Sequence, residues 1–304
     1  MKILLTGVTG QVGSELQRTL MTVGEVIPVG RSFNHADLQM DLALPDTICR
    51  TIREVRPDLI VNPAAYTAVD KAESEPELAM AINGIAPGVM AEEAKRLGAA
   101  IVHYSTDYVF DGTNQIPYTE EQRPNPQNIY GKTKLVGEQA IQSVGVPHLI
   151  FRTSWVYGLR GKNFLLTMLK LAREREEIRV VDDQIGAPTW SRTIAETTTQ
   201  ILSQAPQNIS SFLTSQGGLY HLTATKQTSW HGFAKAIFER DPQRNEQKLK
   251  RLLAISSEQY PTPAKRPAYS LLDSHKLSHT FGLTLPEWES CLELVFNSKI
   301  SSRI

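Results

Sequence analysis

The chain has 304 residues, 41% hydrophobic and 21% charged, enough for a large α/β core with an appended lobe and too many for one small module. Its 32 basic and 32 acidic residues cancel to a formal net charge of zero, so no global field favours nucleic acid or an anionic membrane, and neither is expected as a partner. The two cysteines, Cys49 and Cys291, give no disulfide framework and read as buried thiols.

Residues 3–6 are a continuous apolar run closing on Thr6, as expected of a strand buried on both faces. The run is too short for a signal segment or a membrane span, and a cytoplasmic protein is expected. Gly7, Gly10 and Gly13 then form a turn leading into an amphipathic helix that begins with Ser14-Glu15-Leu16-Gln17. Glycines in this context permit a tight turn, close backbone approach to a pyrophosphate and close helix packing, with the N–H groups around Gln11, Val12 and Gly13 meeting the phosphates. The spacing departs from the commoner G-x-G-x-x-G, and glycines that merely shape a surface turn remain the alternative.

A second strand is expected at 26–29. An acidic residue at its end would hold a free ribose 2′-hydroxyl, whereas arginine accommodates a 2′-phosphate. Gly30-Arg31-Ser32 stands there, with no carboxylate before Asp37 and Asp41, which favours NADPH and leaves NADH possible. An ordinary solvated loop charge is the other reading of Arg31. Asp41 and Leu42 are placed to flank an adenine. After a helix through Ile48, Ile52 and Val55 comes a third strand, 58–62. Pro63-Ala64-Ala65-Tyr66 follows at its carboxyl end, where small residues let backbone lie against a cofactor.

A helix over 76–97 precedes a fourth strand, 100–105, which leads into Thr106-Asp107. Thr106 could hydrogen-bond a substrate carbonyl oxygen, or simply cap the turn. Tyr104, Tyr108 and Phe110 read as wall or core residues, Tyr104 on the cofactor side. Tyr130 and Lys134 are four residues apart on a helix over 130–141 and so share a face. A lysine beside a tyrosine favours phenolate, which suits a proton donor near neutral pH; Tyr130, Lys134 and Thr106 are the catalytic candidates. The carboxylates Asp70, Glu73, Glu75 and Glu77 read as a solvated helix start rather than a metal site, and His103 and His148 as packed strand residues. P-loop, H-E-x-x-H, G-x-S-x-G and Cys-x-x-Cys signatures are absent.

A fifth strand is expected at 148–151. Strands alternating with helices predict an α/β fold, a Rossmann-type doubly wound parallel sheet over 1–150. The pattern changes afterwards, with helices near 163–173 and 192–202 and strands near 178–181 and 218–222. A smaller C-terminal α/β substrate lobe is expected over 151–304, mainly 151–174 and 226–304, with segments near 175–225 returning to the first domain.

Seven blocks in order resemble the extended short-chain dehydrogenase/reductase superfamily and, within it, the dTDP-4-dehydrorhamnose reductase family. They are Thr6 to Gly13, Val61 to Glu73, His103 to Gly112, Tyr130-Gly131-Lys132-Thr133-Lys134, Arg152 to Tyr157, Asp183 to Thr189, and Arg266 to Asp273. The resemblance implies reduction of the C4 ketone of a dTDP-linked 4-dehydro-sugar, a nucleotide-sugar substrate, with Thr106, Tyr130 and Lys134 at the catalytic positions. It further implies sugar contacts for Thr106, Asp107 and Trp155, the last offering an indole face and one N–H donor. A core tryptophan is the alternative for Trp155. Pro63, where relatives often carry alanine, and Gly30-Arg31, where some carry an acid, depart from the pattern. An epimerase or dehydratase of the superfamily is a competing reading, weakened because Thr106-Asp107-Tyr108 lacks the Asp-Glu pair of a dehydratase. A regulatory subunit of the methionine adenosyltransferase type is another. Monomer and homodimer both remain open.

Overall fold

The first expected strand forms β1 (Lys2–Leu5), whose Ile3, Leu4 and Leu5 are fully buried, each such side chain contributing roughly 1.5–3 kcal/mol. The computed structural model describes residues 1–31, 38–205 and 208–298, so Ser32 and Asp37 lie outside it. Along the chain follow β2 (Glu25–Gly30), β3 (Leu38–Gln39), β4 (Leu59–Asn62), β5 (Ala100–Thr106), β6 (His148–Thr153) and β7 (Val156–Tyr157). Then come β8 (Glu177–Val181), β9 (Ile185–Gly186), β10 (Thr189–Trp190), β11 (Gly218–His221), β12 (Thr228–Ser229) and β13 (Arg251–Ile255). The helices are α1 (Gln11–Thr19), α2 (Pro45–Val55), α3 (Val69–Ala72), α4 (Pro76–Met80), α5 (Ala86–Leu97) and α6 (Ile129–Val144). Beyond these lie α7 (Phe164–Glu174), α8 (Ser191–Ser203), α9 (Ile209–Gln216), α10 (Trp230–Arg240), α11 (His275–Phe281) and α12 (Trp288–Asn297).

Seven strands form one sheet in the order β11-β6-β5-β4-β1-β2-β3, every pair parallel. The doubly wound sheet expected from the sequence is therefore present, with its strand order reversing between β1 and β4. Ligands of such sheets bind outside the carboxyl ends at that reversal. One face packs Leu5, Val102 and Phe151 under α1, α8 and α9; the other packs Leu4, Ile60 and Ile101 under α2 and α5.

Local chemistry sets where the helices begin and end. Asn128 caps α6 by accepting the Gly131 N–H at 2.8 Å, and Gly145 closes it in the left-handed region. This cap starts the helix one residue before Tyr130 and fixes the level at which its phenol leaves the helix. Pro45 opens α2, as proline can where no N–H is needed. The helix expected over 76–97 is interrupted by a π turn, Ala81–Ile85, which joins α4 to α5.

Three boundaries differ from expectation. The boundary at 150 falls inside β6, because Phe151, Arg152 and Thr153 continue to pair with Tyr104, Ser105 and Thr106. Of the stretch near 175–225, α8, α9 and β11 do lie on the sheet, but β8 pairs in parallel with β13. Alternation along β8 could show a strand but not its partner. Finally α11, within the stretch assigned to the lobe, buries Leu277 and Phe281 in the sheet's core. The lobe has its own core of Leu165, Leu169, Phe233, Ile237, Trp288 and Leu292 from α7, α10 and α12. Among the described residues no helix is long and apolar enough to cross a membrane.

Candidate active site

The glycine turn is built by contact. Gly7 has φ +61°, and a β-carbon there would lie 3.0 Å from the Ala64 nitrogen. A β-carbon on Gly13 would lie 2.1 Å from the Gly7 carbonyl oxygen, so this glycine packs α1 onto its own turn rather than onto a neighbouring strand. The first turn of α1, with Gln11, Val12 and Gly13, has neither a side-chain cap nor an acidic residue. Its free N–H groups and positive dipole end suit an anion such as a pyrophosphate. A cleft of about 230 Å³ opens beside that turn, lined by Gln11, Ser14, Arg160 and Arg192 among others; it borders the glycine turn, not Tyr130. Sequence reading missed Arg160 and Arg192, which come from the distant β7–α7 loop and α8.

Arg31 is exposed directly after β2, and its carbonyl accepts the Gln39 side-chain N–H at 2.9 Å. Asp41 spends one carboxylate oxygen on the Ala43 N–H at 2.9 Å, and Leu42 is buried at 9% exposure. Ala64, Ala65 and Tyr66 follow β4 as an irregular segment. The buried amide of Asn83, carried by the π turn, accepts the Tyr66 N–H at 2.8 Å and donates to the Tyr66 carbonyl at 3.0 Å and the Thr133 hydroxyl at 3.3 Å. Asn83 thereby ties this segment to α6, and nothing local in the sequence marks it. The Tyr66 hydroxyl donates to Glu75 at 2.6 Å.

Thr106 ends β5 and is 4% exposed. Its hydroxyl donates to the Asp107 carboxylate at 3.1 Å and accepts the Tyr108 N–H at 3.1 Å, and it lies near enough to the Tyr130 phenol to favour the phenolate. Thr106 therefore caps a turn, the alternative read from the sequence, and stands beside Tyr130 as well. The half-buried Tyr130 ring meets Tyr108 edge to face at 5.6 Å. Burial pushes the Tyr130 phenol up to about 12, opposed by the Thr106 hydroxyl and reinforced by the Asp107 charge. The expectation that Lys134 makes Tyr130 acidic is not met. Lys134 is 1% exposed, and its Nζ donates to the Tyr104 carbonyl at 2.5 Å, with His103 Nε2 at 3.2 Å. Burial draws Lys134 itself down to about 8, against the opposing charge of Glu138.

Tyr104 contributes its carbonyl to this site and not its ring. Strand alternation turns the phenol into the opposite core, where it hydrogen-bonds Thr198 at 2.8 Å. Of the four carboxylates read as a solvated helix start, Glu77 is exposed in the first turn of α4, while the other three make specific contacts. Asp70 binds Arg266 at 2.7 Å, Glu73 accepts the Ile129 N–H at 2.8 Å, and Glu75 pairs with Lys71 at 2.6 Å. The Arg266 charge also faces the Tyr108 phenol, partly offsetting the burial that raises it. Under the site, Glu138 and Arg152 form an ion pair at 2.6 Å with both side chains 2% exposed, and Ser105 hydrogen-bonds the same carboxylate.

Asp107 is 2% exposed, and its Oδ2 has no hydrogen-bond partner among the described residues. Burial raises its carboxyl to about 7, opposed by the neighbouring hydroxyls of Ser270 and Thr106. A carboxyl in this state offers a hydroxylated ligand an acceptor or, when protonated, a donor. Trp155 follows β6 with φ +46° and lies against the flat backbone of Gly186, where a β-carbon would come within 2.6 Å of the indole. On the neighbouring strand end Thr153 pairs with Thr106, which puts Trp155 at the same end of the sheet. A hydroxyl, a phenol and a buried ammonium beside an anion-binding turn can polarise a carbonyl and protonate its oxygen when a hydride donor is bound alongside.

The family described as "RmlD substrate binding domain" matches residues 1–300. The chain is 47% identical over 305 residues to the dTDP-4-dehydrorhamnose reductase of Burkholderia thailandensis, covering 99% of this chain and 100% of that one. It is 44% identical to the dTDP-4-dehydrorhamnose reductase of Escherichia coli K12, covering 98% and 97%. Among solved structures, the dTDP-4-dehydrorhamnose reductase of Bacillus anthracis in complex with NADP superposes with a TM-score of 0.87 at 36% identity, covering 98% of this chain and 99% of that one.

Proposed function

Because the chain belongs to the RmlD substrate-binding-domain family, whose members compared above are dTDP-4-dehydrorhamnose reductases, we propose that it reduces the C4 ketone of dTDP-4-dehydro-L-rhamnose to dTDP-L-rhamnose with NADPH. One observation carries the reading: Thr106 ends β5 beside the Tyr130 phenol, close enough to lower its pKa, with Lys134 buried on the next turn of α6.

Tyr130 protonates the ketone oxygen as the carbon accepts hydride, and the phenolate recovers its proton from water. Thr106 donates a hydrogen bond to that oxygen and spreads the developing charge. A phenol held near 12 stays protonated until charge builds on the substrate oxygen, so the transfer is coupled to hydride arrival. The chemistry that bound NADPH supplies is hydride donation. Residues suited to hold it are the turn from Gly7 to Gly13, Arg31 toward the 2′-phosphate, Asp41 and Leu42 at the adenine, Ala64 to Tyr66 along one side, and Lys134 at the nicotinamide ribose. Its fit rests on the uncapped, acid-free first turn of α1 and on the cradle that a β-carbon at Gly7 or Gly13 would fill. Asp107 and Trp155 face the sugar, the carboxyl taking a hydroxyl and the indole an apolar face. The sheet with its returning segments binds cofactor and the smaller lobe completes the sugar site, in a protein working in the cytoplasm.

Loss of reduced-nicotinamide absorbance with dTDP-4-dehydro-L-rhamnose, NADPH and NADH side by side, tests this directly. Rapid oxidation yielding dTDP-L-rhamnose is expected, with Tyr130→Phe slower by roughly 10² or more while NADPH binding persists. NADPH binding without turnover would favour the regulatory-subunit role, and full activity in Tyr130→Phe would remove the proton donor.

A further inference from the structure

The carboxyl end of the sheet carries a row of buried polar side chains that the mechanism above leaves without a task. Thr6 directly follows β1, Asn62 ends β4, and His103 lies opposite Asn62 in β5. Their exposures are 2, 0 and 0%. The Ala64 N–H donates to the Thr6 hydroxyl at 3.3 Å, and that hydroxyl donates to Asn62 Oδ1 at 2.7 Å. Asn62 Nδ2 meets His103 Nδ1 at 3.2 Å, and His103 Nε2 meets Lys134 Nζ at 3.2 Å. The row runs unbroken from the cofactor-side segment after β4 to the lysine on α6. Three polar residues side by side in a sheet interior are costly unless every one is paired, so the sequence sustains this row against simple apolar packing.

Hydrogen bonding closes along the row for either charge state of Lys134. With a neutral amine, His103 donates from Nε2 to Nζ and accepts from Asn62 at Nδ1. With an ammonium, Nζ donates to Nε2 and the ring proton sits on Nδ1, which requires the Asn62 amide to turn over, so that its oxygen faces the ring and its Nδ2 donates to the Thr6 hydroxyl. The ring is neutral in both, in keeping with burial and the Lys134 charge holding it well below the usual histidine range. The Tyr104 carbonyl alone would leave a flexible four-carbon lysine stem free to pivot about one contact.

We propose that His103 is a positioning residue for Lys134: its Nε2 is the second anchor of the Nζ, and through Asn62 and Thr6 it couples the lysine to the Ala64 backbone. This rests on the proposed roles of Lys134 and Tyr130. The titratable groups facing Lys134 are His103 from β5 and Glu138 from its own helix, the latter neutralised by Arg152 of β6.

The test uses the full chain with His103→Leu, His103→Gln and Tyr130→Phe, scored by kcat, KM for dTDP-4-dehydro-L-rhamnose, the pH profile of kcat, and thermal midpoint. His103→Leu is expected to lower kcat about tenfold, the scale of one hydrogen bond to a charged group, with KM within about twofold and the limb reporting Lys134 displaced. His103→Gln, which keeps a donor and an acceptor, should recover most of the rate. Folded variants with wild-type kcat and pH profile would overturn the proposal, as would a rate loss that follows thermal midpoint alone. Ring ¹⁵N shifts of His103 in the unmodified chain provide a readout that needs no variant. They should inflect where Lys134 titrates, and constant shifts across that range would also overturn it. Full activity in Tyr130→Phe would instead fail the underlying reading, a result distinct from any of these.

Discussion

Trp155 and Trp230 lie ring on ring, centroids 3.6 Å apart and planes within 6°. Trp155 holds a left-handed backbone, an uncommon state for a bulky residue that persists only when its surroundings enforce it. Gly186 lies against the same indole, and Trp230 is itself packed against Phe164 at 4.6 Å. Trp230→Ala should therefore loosen the Trp155 indole without touching Tyr130. An aromatic stack is worth about 1 kcal/mol beyond its buried area, so KM for the keto-sugar nucleotide should rise roughly fivefold. Steady-state kinetics check this; an unchanged KM would show that Trp155 is held by Gly186 and its own strand alone.

Arg31 stands exposed where the second strand releases the chain. A guanidinium contact to a 2′-phosphate is a charge-assisted bond, worth roughly 1.5–3 kcal/mol. Arg31→Ala should cut the NADPH-over-NADH preference in kcat/KM by about tenfold or more, chiefly through weaker NADPH binding. An unaltered ratio would leave Arg31 as a solvated loop charge.

The sheet, the glycine turn and the Thr106, Tyr130 and Lys134 set were legible in the sequence because each depends on local spacing. Tyr130 and Lys134 need only one helical turn, and Thr106 only the end of an apolar strand. Spacing gave the shared face of Tyr130 and Lys134 but not the lysine's partners, which are a carbonyl and a ring on β5. For the same reason the clamp from Arg266 to Asp70, 196 residues apart, left no local trace. Asn83 was hidden differently: helical periodicity runs smoothly through the π turn that aims it at Tyr66. Trp230 drew no reading from the sequence, because its place beside Trp155 depends on β12 pairing with β9, which brings α10 there.

Glu138 and Arg152 form a fully buried pair whose two bonds, at 2.9 and 2.6 Å, are bidentate. Removing one partner leaves an uncompensated charge in the core, which costs about 3–5 kcal/mol. Glu138→Ala or Arg152→Ala should each lower stability by that order, seen as a large fall in urea midpoint. The double variant should be less destabilised than the sum of the two, because neither charge is left alone. Additive losses would mean that the pair is not coupled.

Asp107, whose Oδ2 has no partner among the described residues, gives a pH dependence with a defined sign. Its carboxyl ordinarily titrates near 3.8 and in the folded chain is raised to about 7, mainly by burial. Between those values the folded protein holds a proton that the unfolded chain has released. Stability from this group is therefore fully present below about pH 4 and lost progressively as pH rises through 7, on the order of 4 kcal/mol over the window. Asp107→Asn removes the titration and keeps the shape. Urea unfolding of both proteins at about pH 5 and about pH 8 should show the variant gaining on the wild type as pH rises, whatever other groups contribute, since those are common to both. An equal difference at the two pH values would place Asp107 near an ordinary carboxylate, ionised throughout. The protonated form that lets this buried carboxyl donate to a sugar hydroxyl would then play no part at neutral pH.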